Sequence, residues 1–315
     1  MTAIPHSPRL ESARGVAFLL AGIAVFSVQD LILKLLSGSY PLHEAMVLRS
    51  LTAAPLLLLL VHLDGGVRTL FTPGWPRMLR RGIVLFLSYT LYYLALAALP
   101  MATTIALFYT APLFITILSV LMLAESVGPR RWFAVVIGFL GVILMVRPGS
   151  NLFDWAALLP LIAGLSYGVS MIGARRLGTT ETAAALAFWG NVVFLAFAVV
   201  LALIFGRGTF GHETHKSLEF LMRGWVMPSR MDLMLMMACG GIAAAGLTLL
   251  TQAYRISQAN LVAPFEYSSM IWGVIYGWIF WRDWPDTLAW TGISIIIGAG
   301  LYILYRERRI DGQAS

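Results

Sequence analysis

Stretches of about 20 apolar residues recur along this chain, each about as long as the hydrocarbon core of a bilayer is thick. One of them, residues 258–280 (QANLVAPFEYSSMIWGVIYGWIF), encloses a single acid, Glu266. A second, residues 101–124, reads as its copy in the first half. A charge inside hydrocarbon costs from about 3 kcal/mol upward unless it faces protein or water. The remainder of the chain therefore has to give Glu266 such a place.

The composition supports only one solvent for this chain. Of 315 residues, 59% are hydrophobic and 12% charged, about half the charged share of a soluble domain. The sequence predicts an all-α polytopic membrane protein with ten spans: residues 15–36, 43–63, 82–99, 101–124, 132–146, 155–174, 182–205, 231–253, 258–280 and 287–305. Helices are the default because a spanning backbone must satisfy its own hydrogen bonds. The run after the polar N-terminus is longer than a signal-peptide core and reads as an uncleaved anchor. The net charge of +7 lies in short clusters between apolar runs, which is membrane topology rather than nucleic-acid binding. With the N-terminus inside, about fourteen basic residues fall in inner segments, among them Arg77, Arg80 and Arg81, against six outside. That bias places both termini in the cytoplasm, and the expected location is a bacterial-type inner membrane. The longest outer loop, residues 206–230, is expected to carry a short surface helix, with His212 and His215 solvated. Cys239, the single cysteine, is assigned to packing.

The chain also repeats itself. Ala102 aligns with Ala259, Phe108 with Phe265 and Gly141 with Gly298 at one offset. Residues 1–150 and 151–315 thus read as two five-helix repeats. Five is odd, so the second enters the membrane inverted, a transporter signature that places the binding site near midplane between the halves.

Arg49 in MVLRSL, the block ATTIALFYTAPLF with its continuation RRWFAVVIGFLGVILMVRPG, the stretch APFEYSSMIWGVIYGWIFWRDWPD and the closing GAGLYILYRERR together resemble the drug/metabolite transporter superfamily in its EamA-type branch. The resemblance covers essentially the full length. It implies a secondary carrier for a small molecule. It permits substrates from amino acids and polyamines to S-adenosylmethionine, and either direction of transport.

Within that frame Glu266 is the sharpest site residue, binding a substrate amine or exchanging a proton; its alternative is a structural ion pair. Asp30 and Lys34 share a face of the first helix, and a local pair between them is open. Arg49 is read as the partner of Asp30 at an outer gate, or as a clamp for a carboxylate. Asp30 and Arg49 look nearer the outside and Glu266 nearer the inside, which leaves one cavity or two. Tyr89, Tyr92 and Tyr93 form a stripe on the third helix, and Tyr109, Tyr267 and Trp272 belong to the paired fourth and ninth spans. Such rings can hold a cation or stack on a flat ligand, or simply pack. Gln252 and Asn191 either line the cavity or bond between helices. Pro112 and Pro264 lie inside spans and are read as kinks or hinges. Gly138 with Gly141, Gly164 with Gly168, and Gly273 with Gly277 are spaced for close helix approach.

Gly164-Leu165-Ser166-Tyr167-Gly168 matches the hydrolase pattern G-x-S-x-G, but without its strand–turn–helix context. No phosphate loop or HExxH zinc motif is present in the sequence. The expectation is a non-enzymatic carrier without cofactor or metal, monomeric or homodimeric. Its expected cargo is a small polar or amphipathic metabolite, amino-acid-like or amine-bearing, moved by alternating access with proton coupling or exchange. Uptake of an S-adenosylmethionine-type nucleoside metabolite is the alternative, and an intramembrane hydrolase the remote one.

Overall fold

The computed structural model describes residues 8–123, 128–150, 153–177, 181–210, 215–256 and 263–314, and among these it contains helices and connecting turns but no strand. The helices are α1 (Pro8–Leu36), α2 (Leu42–Leu63), α3 (Trp75–Ala98), α4 (Met101–Phe108), α5 (Ala111–Leu123) and α6 (Pro129–Val146) in the first half. The second half holds α7 (Leu158–Leu177), α8 (Ala183–Phe205), α9 (Lys216–Met222), α10 (Arg230–Ile256), α11 (Ser269–Tyr276) and α12 (Thr287–Ala314). Among the described residues seven stretches are long and apolar enough to cross a bilayer, and Trp132–Val146 and Thr287–Tyr302 are shorter apolar helices. With the broken segment from Ala263 to Trp281 they make the ten spans read from the sequence. Residues 258–262, His212 and the side chain of Pro264 lie outside what is described.

Packing follows one rule. α1 lies along α10 and α7 along α3, while α2 packs on α8 and α6 on α12. Exchanging the halves maps this pattern onto itself. Small residues permit the approach: a methyl on Gly141 would sit 3.0 Å from the Gly292 carbonyl, and one on Gly164 would sit 2.8 Å from the Phe108 carbonyl.

Neither copy of the fourth span is a continuous helix. In the first half α4 ends at Phe108, Tyr109 and Thr110 form a turn, and α5 begins at Ala111. Pro112 explains the break, because it has no N–H to give the carbonyl four residues back, on Phe108. The Thr110 hydroxyl satisfies the neighbouring Leu107 carbonyl at 2.7 Å. In the second half a 3₁₀ turn, Ala263–Ser268, leads into α11 and then a π turn, Gly277–Trp281. The sequence reading of residues 258–280 as one helix is corrected here. Irregular backbone of this kind is tolerated at membrane depth only against protein or a water-filled space.

α3 begins at Trp75 with Pro76 in its first turn, a position that suits proline. Its span therefore starts seven residues before the expected Gly82, and Arg77, Arg80 and Arg81 are helical rather than in a loop.

The long loop carries the expected short helix, α9, but it is docked rather than superficial. Phe220 is 1% exposed, and the Ser217 hydroxyl donates to the Leu94 carbonyl at 2.7 Å. Arg223 donates to the Ser37 and Tyr40 carbonyls, and the Val226 N–H donates to Glu44 at 3.1 Å. His215, expected in a solvated loop, instead reaches Asp154 at 3.0 Å and packs on Trp155. This segment closes the end of the bundle where α3 finishes.

At that end Arg147, in the left-handed conformation at the end of α6, pairs with Asp286 and holds the Asp286 carboxyl below the usual carboxylate range through its hydrogen bond. The Asp286 side chain is 57% exposed, so the pair contributes under about 1 kcal/mol. A depressed carboxyl stabilises above its unfolded pKa and loses that contribution as pH falls through the folded value. Arg147→Gln is expected to lower the melting temperature slightly at neutral pH, and the difference should fade as pH falls through the depressed Asp286 value. A larger loss would mean that the pair carries the α6–α12 contact.

Candidate functional site

An interior cavity of about 110 Å³ lies where the two broken spans meet α1, α3 and α7. Asp30 of α1 and Glu266 of the 3₁₀ turn both line it, and they are its only charged lining residues among those described. Asp30 and Glu266, which the sequence places at different depths, thus line one cavity, and Arg49 does not line it. Four tyrosines, Tyr89, Tyr92, Tyr109 and Tyr167, line it as well. A shallower recess on α12, between Thr287 and Ile295, holds no charged residue.

Local structure explains the convergence. The Tyr92 hydroxyl donates to Asp30 Oδ2 at 2.9 Å, which fixes that carboxylate against α3. Tyr92 packs on Phe108, and Phe108 on Tyr167, with ring centres 5.1 and 5.5 Å apart. The chain turns just after Phe108, and Tyr109, the first residue of the turn, lines the chamber beside it. At the repeat offset of 157 residues, set by Ala102 and Ala259, Tyr109 and Glu266 are equivalent. The two broken spans therefore present their equivalent residues to the same space.

The remaining sequence candidates lie behind this wall. Arg49 does not pair with Asp30: its Nε donates to Gln29 Oε1 at 3.0 Å, and its guanidinium covers the Phe194 ring. Gln29 in turn donates to the Tyr93 hydroxyl at 2.6 Å, so Tyr93 anchors the helices instead of facing the cavity. One residue separates the two networks on α1, because Asp30 and Gln29 point to different neighbours. Lys34 does not pair with Asp30 either. It caps the end of α3 at the Leu96 and Leu99 carbonyls, 2.8 and 2.6 Å away, a favourable place for a cation. Asn191 donates to the Ser50 carbonyl at 3.0 Å. Trp272 packs on Leu19, Ile23 and Ala253, and Tyr267 lies against Tyr109 and beneath Gly300. Gln252 is half-buried on α10 and is not part of the cavity lining. Pro112 lines the cavity, which joins the break to the site, and the backbone of Pro264 lies in the 3₁₀ turn.

Tyr167, Ser27 and Ser269 are lining residues that the sequence reading missed. Tyr167 sits inside the G-x-S-x-G match. Ser166 beside it is on helix α7, which is not the strand-to-helix turn that the hydrolase pattern requires.

A multi-pass helical membrane protein with two broken spans around an interior cavity that holds two acids has the organisation of a carrier. The chain is a member of the EamA-like transporter family, whose sequence pattern matches residues 13–147 and again 154–306. It is 31% identical to a riboflavin transporter of Rhizobium johnstonii over 74% of this chain and 71% of that one. An S-adenosylmethionine uptake transporter of Rickettsia prowazekii is 26% identical over 94% of both chains. The pseudopaline exporter CntI of Pseudomonas aeruginosa is 25% identical over 90% of this chain and 94% of that one. A solved crystal structure shares the fold, with a TM-score of 0.62 at 18% identity over 96% of this chain and 99% of the other. The protein is accordingly a membrane transporter of a bacterial family, its relatives carry small metabolites, and it is not an enzyme.

Proposed function

We propose that this carrier moves a small polar or amphipathic metabolite bearing a cationic group, by alternating access between two inverted halves, residues 1–150 and 151–315, in an inner membrane with both termini cytoplasmic. The observation that supports this reading most is the pairing of two carboxylates with four tyrosines in one chamber. Carboxylates complement an ammonium or sulfonium, and tyrosine faces add cation–π attraction, worth about 2 kcal/mol or more where water is excluded. The broken spans give each half an unwound segment beside the ligand, as in other carriers with inverted repeats. The docked α9 segment and its contacts with α2 and α3 correspond to a closed outer gate. Asp30 and Glu266 are also the groups able to exchange protons with the ligand, which makes proton coupling or exchange the energy source proposed here.

The four rings favour a second reading within the same class. A ligand that joins a cation to a flat ring, as S-adenosylmethionine joins a sulfonium to adenine, would use acids and tyrosines together. Purified protein in proteoliposomes, tested with labelled tryptamine, cadaverine and S-adenosylmethionine, distinguishes the two. Saturable uptake of the amines supports the first reading and uptake of S-adenosylmethionine alone the second. Uptake of anionic metabolites only would exclude both. Ser166→Ala is expected to leave uptake within twofold of wild type, because a small hydroxyl on a packed helix has no chemical step to perform.

A further inference from the structure

Arg81 is a cation near the chamber with no part in the transport proposed above. It stands six residues into α3, about 9 Å along the helix from Trp75 at 1.5 Å per residue. Its neighbours Arg77 and Arg80 are exposed, as expected for cations at a membrane surface, whereas Arg81 is half-buried. The Arg81 Nε is fully enclosed and has no hydrogen-bond partner among the described residues. Tyr167 and Tyr89 are within electrostatic range of it, and both line the chamber, which Arg81 itself adjoins without lining it. Positions 81, 85, 88, 89 and 92 follow one face of α3, the face that carries Tyr89 and Tyr92 to the cavity. Tyr89, about two turns after Arg81 on that face, lines the chamber together with Asp30 and Glu266.

An arginine presents five N–H donors in a rigid fork that matches a carboxylate or a phosphate. Leaving its Nε enclosed without a hydrogen-bond partner is costly. The Tyr89 and Tyr167 hydroxyls do not supply the missing charge. We infer that Arg81 holds an anionic group of the transported molecule at the α3 N-terminal end of the chamber, so that the cargo is a zwitterion, with its cation at Asp30 and Glu266 and its carboxylate or phosphate at Arg81. The cationic half of this assignment rests on the function proposed above; the anionic half stands on Arg81 itself.

The test uses thermal shifts of the purified full-length protein with three related probes: tryptophan, tryptamine (which lacks the carboxylate) and indole-3-propionate (which lacks the amine). Phosphoethanolamine against ethanolamine tests phosphate in the same way. In wild type the anion-bearing member of a pair is expected to bind about tenfold more tightly than its partner without the anion. Arg81→Gln should erase that difference and leave tryptamine binding unchanged, and Arg81→Lys should restore part of it. A carboxylate advantage without a phosphate advantage assigns the anion as carboxylate, and the reverse assigns it as phosphate. The inference is overturned if removing the anion never weakens binding in wild type, or if Arg81→Gln weakens tryptophan and tryptamine alike. It is also overturned if the substitution changes only stabilisation by added phosphatidylglycerol, since Arg81 would then hold a lipid headgroup. Failure of tryptamine to bind, with indole-3-propionate still bound through Arg81, overturns the cationic reading and leaves the anion site standing.

Discussion

Asp30→Asn is expected to weaken binding of a cationic ligand by about 10- to 100-fold, because a hydrogen bond to a charged group contributes about 1.5–3 kcal/mol and each 1.4 kcal/mol is tenfold. The substitution is nearly isosteric. The asparagine carbonyl can still accept from the Tyr92 hydroxyl, which now donates to Asp30 Oδ2 at 2.9 Å, so the fold should be retained. Glu266→Gln removes the second charge in the same cavity and should act in the same direction. Two residues around one ligand do not act independently, so the double variant should lose less than the sum of the two. Tryptamine affinity measured by calorimetry, beside the size-exclusion profile of each variant, checks this. Unchanged affinity in a well-folded Asp30→Asn protein would remove that carboxylate from the site. A collapse of the size-exclusion peak would mean that it holds the helices together instead.

Much of the fold was legible because bilayer physics leaves few choices. Apolar runs of spanning length must be helices, and the endpoints of α2 and α8 fall within a residue of their expected positions. The breaks were harder to see. Residues 101–124 and 258–280 are as apolar at the break as on either side, and only Pro112 and Pro264 mark it. A membrane proline bends some helices and unwinds others, and the difference lies in what packs on the freed carbonyl. Here Gly164 of another helix comes against Phe108, a contact no local pattern contains. The same limit applies to the site. Asp30, Glu266, Tyr89 and Tyr109 were legible as polar or aromatic residues in apolar surroundings. Their gathering in one chamber depends on how α1 is rotated about its axis. That rotation gives Arg49 to Gln29 and leaves Asp30 for Tyr92, so the expected Asp30–Arg49 pair does not form. Tyr167 was obscured by the serine beside it, and Arg81 by a span placed to start one residue too late to include it.

Gly240→Ala is expected to destabilise the protein more than any other single-methyl addition proposed here, by about 1–3 kcal/mol from overpacking. The added methyl would overlap Thr52 Oγ1, lie 2.5 Å from the Arg49 carbonyl and 2.8 Å from the Ala53 nitrogen. Two of these neighbours are backbone, so no rotamer change relieves the contact and α2 must move away from α10. The Thr52 hydroxyl donates across the same seam to the Met237 carbonyl at 3.0 Å, and that bond would be lost as well. Displacing α2 carries Arg49 from Gln29, and with it the setting of α1 that aims Asp30 at the chamber. Ligand affinity should therefore fall together with melting temperature. Gly298→Ala is the matched control: nothing lies within 4 Å of its added methyl, and a helical glycine replaced by alanine gains about 0.5–1 kcal/mol. Thermal unfolding of the two variants in the same detergent should move in opposite directions. A Gly240→Ala protein as stable as wild type would show that the α2–α10 seam is looser than its geometry indicates, and would leave the orientation of Asp30 without its mechanical support.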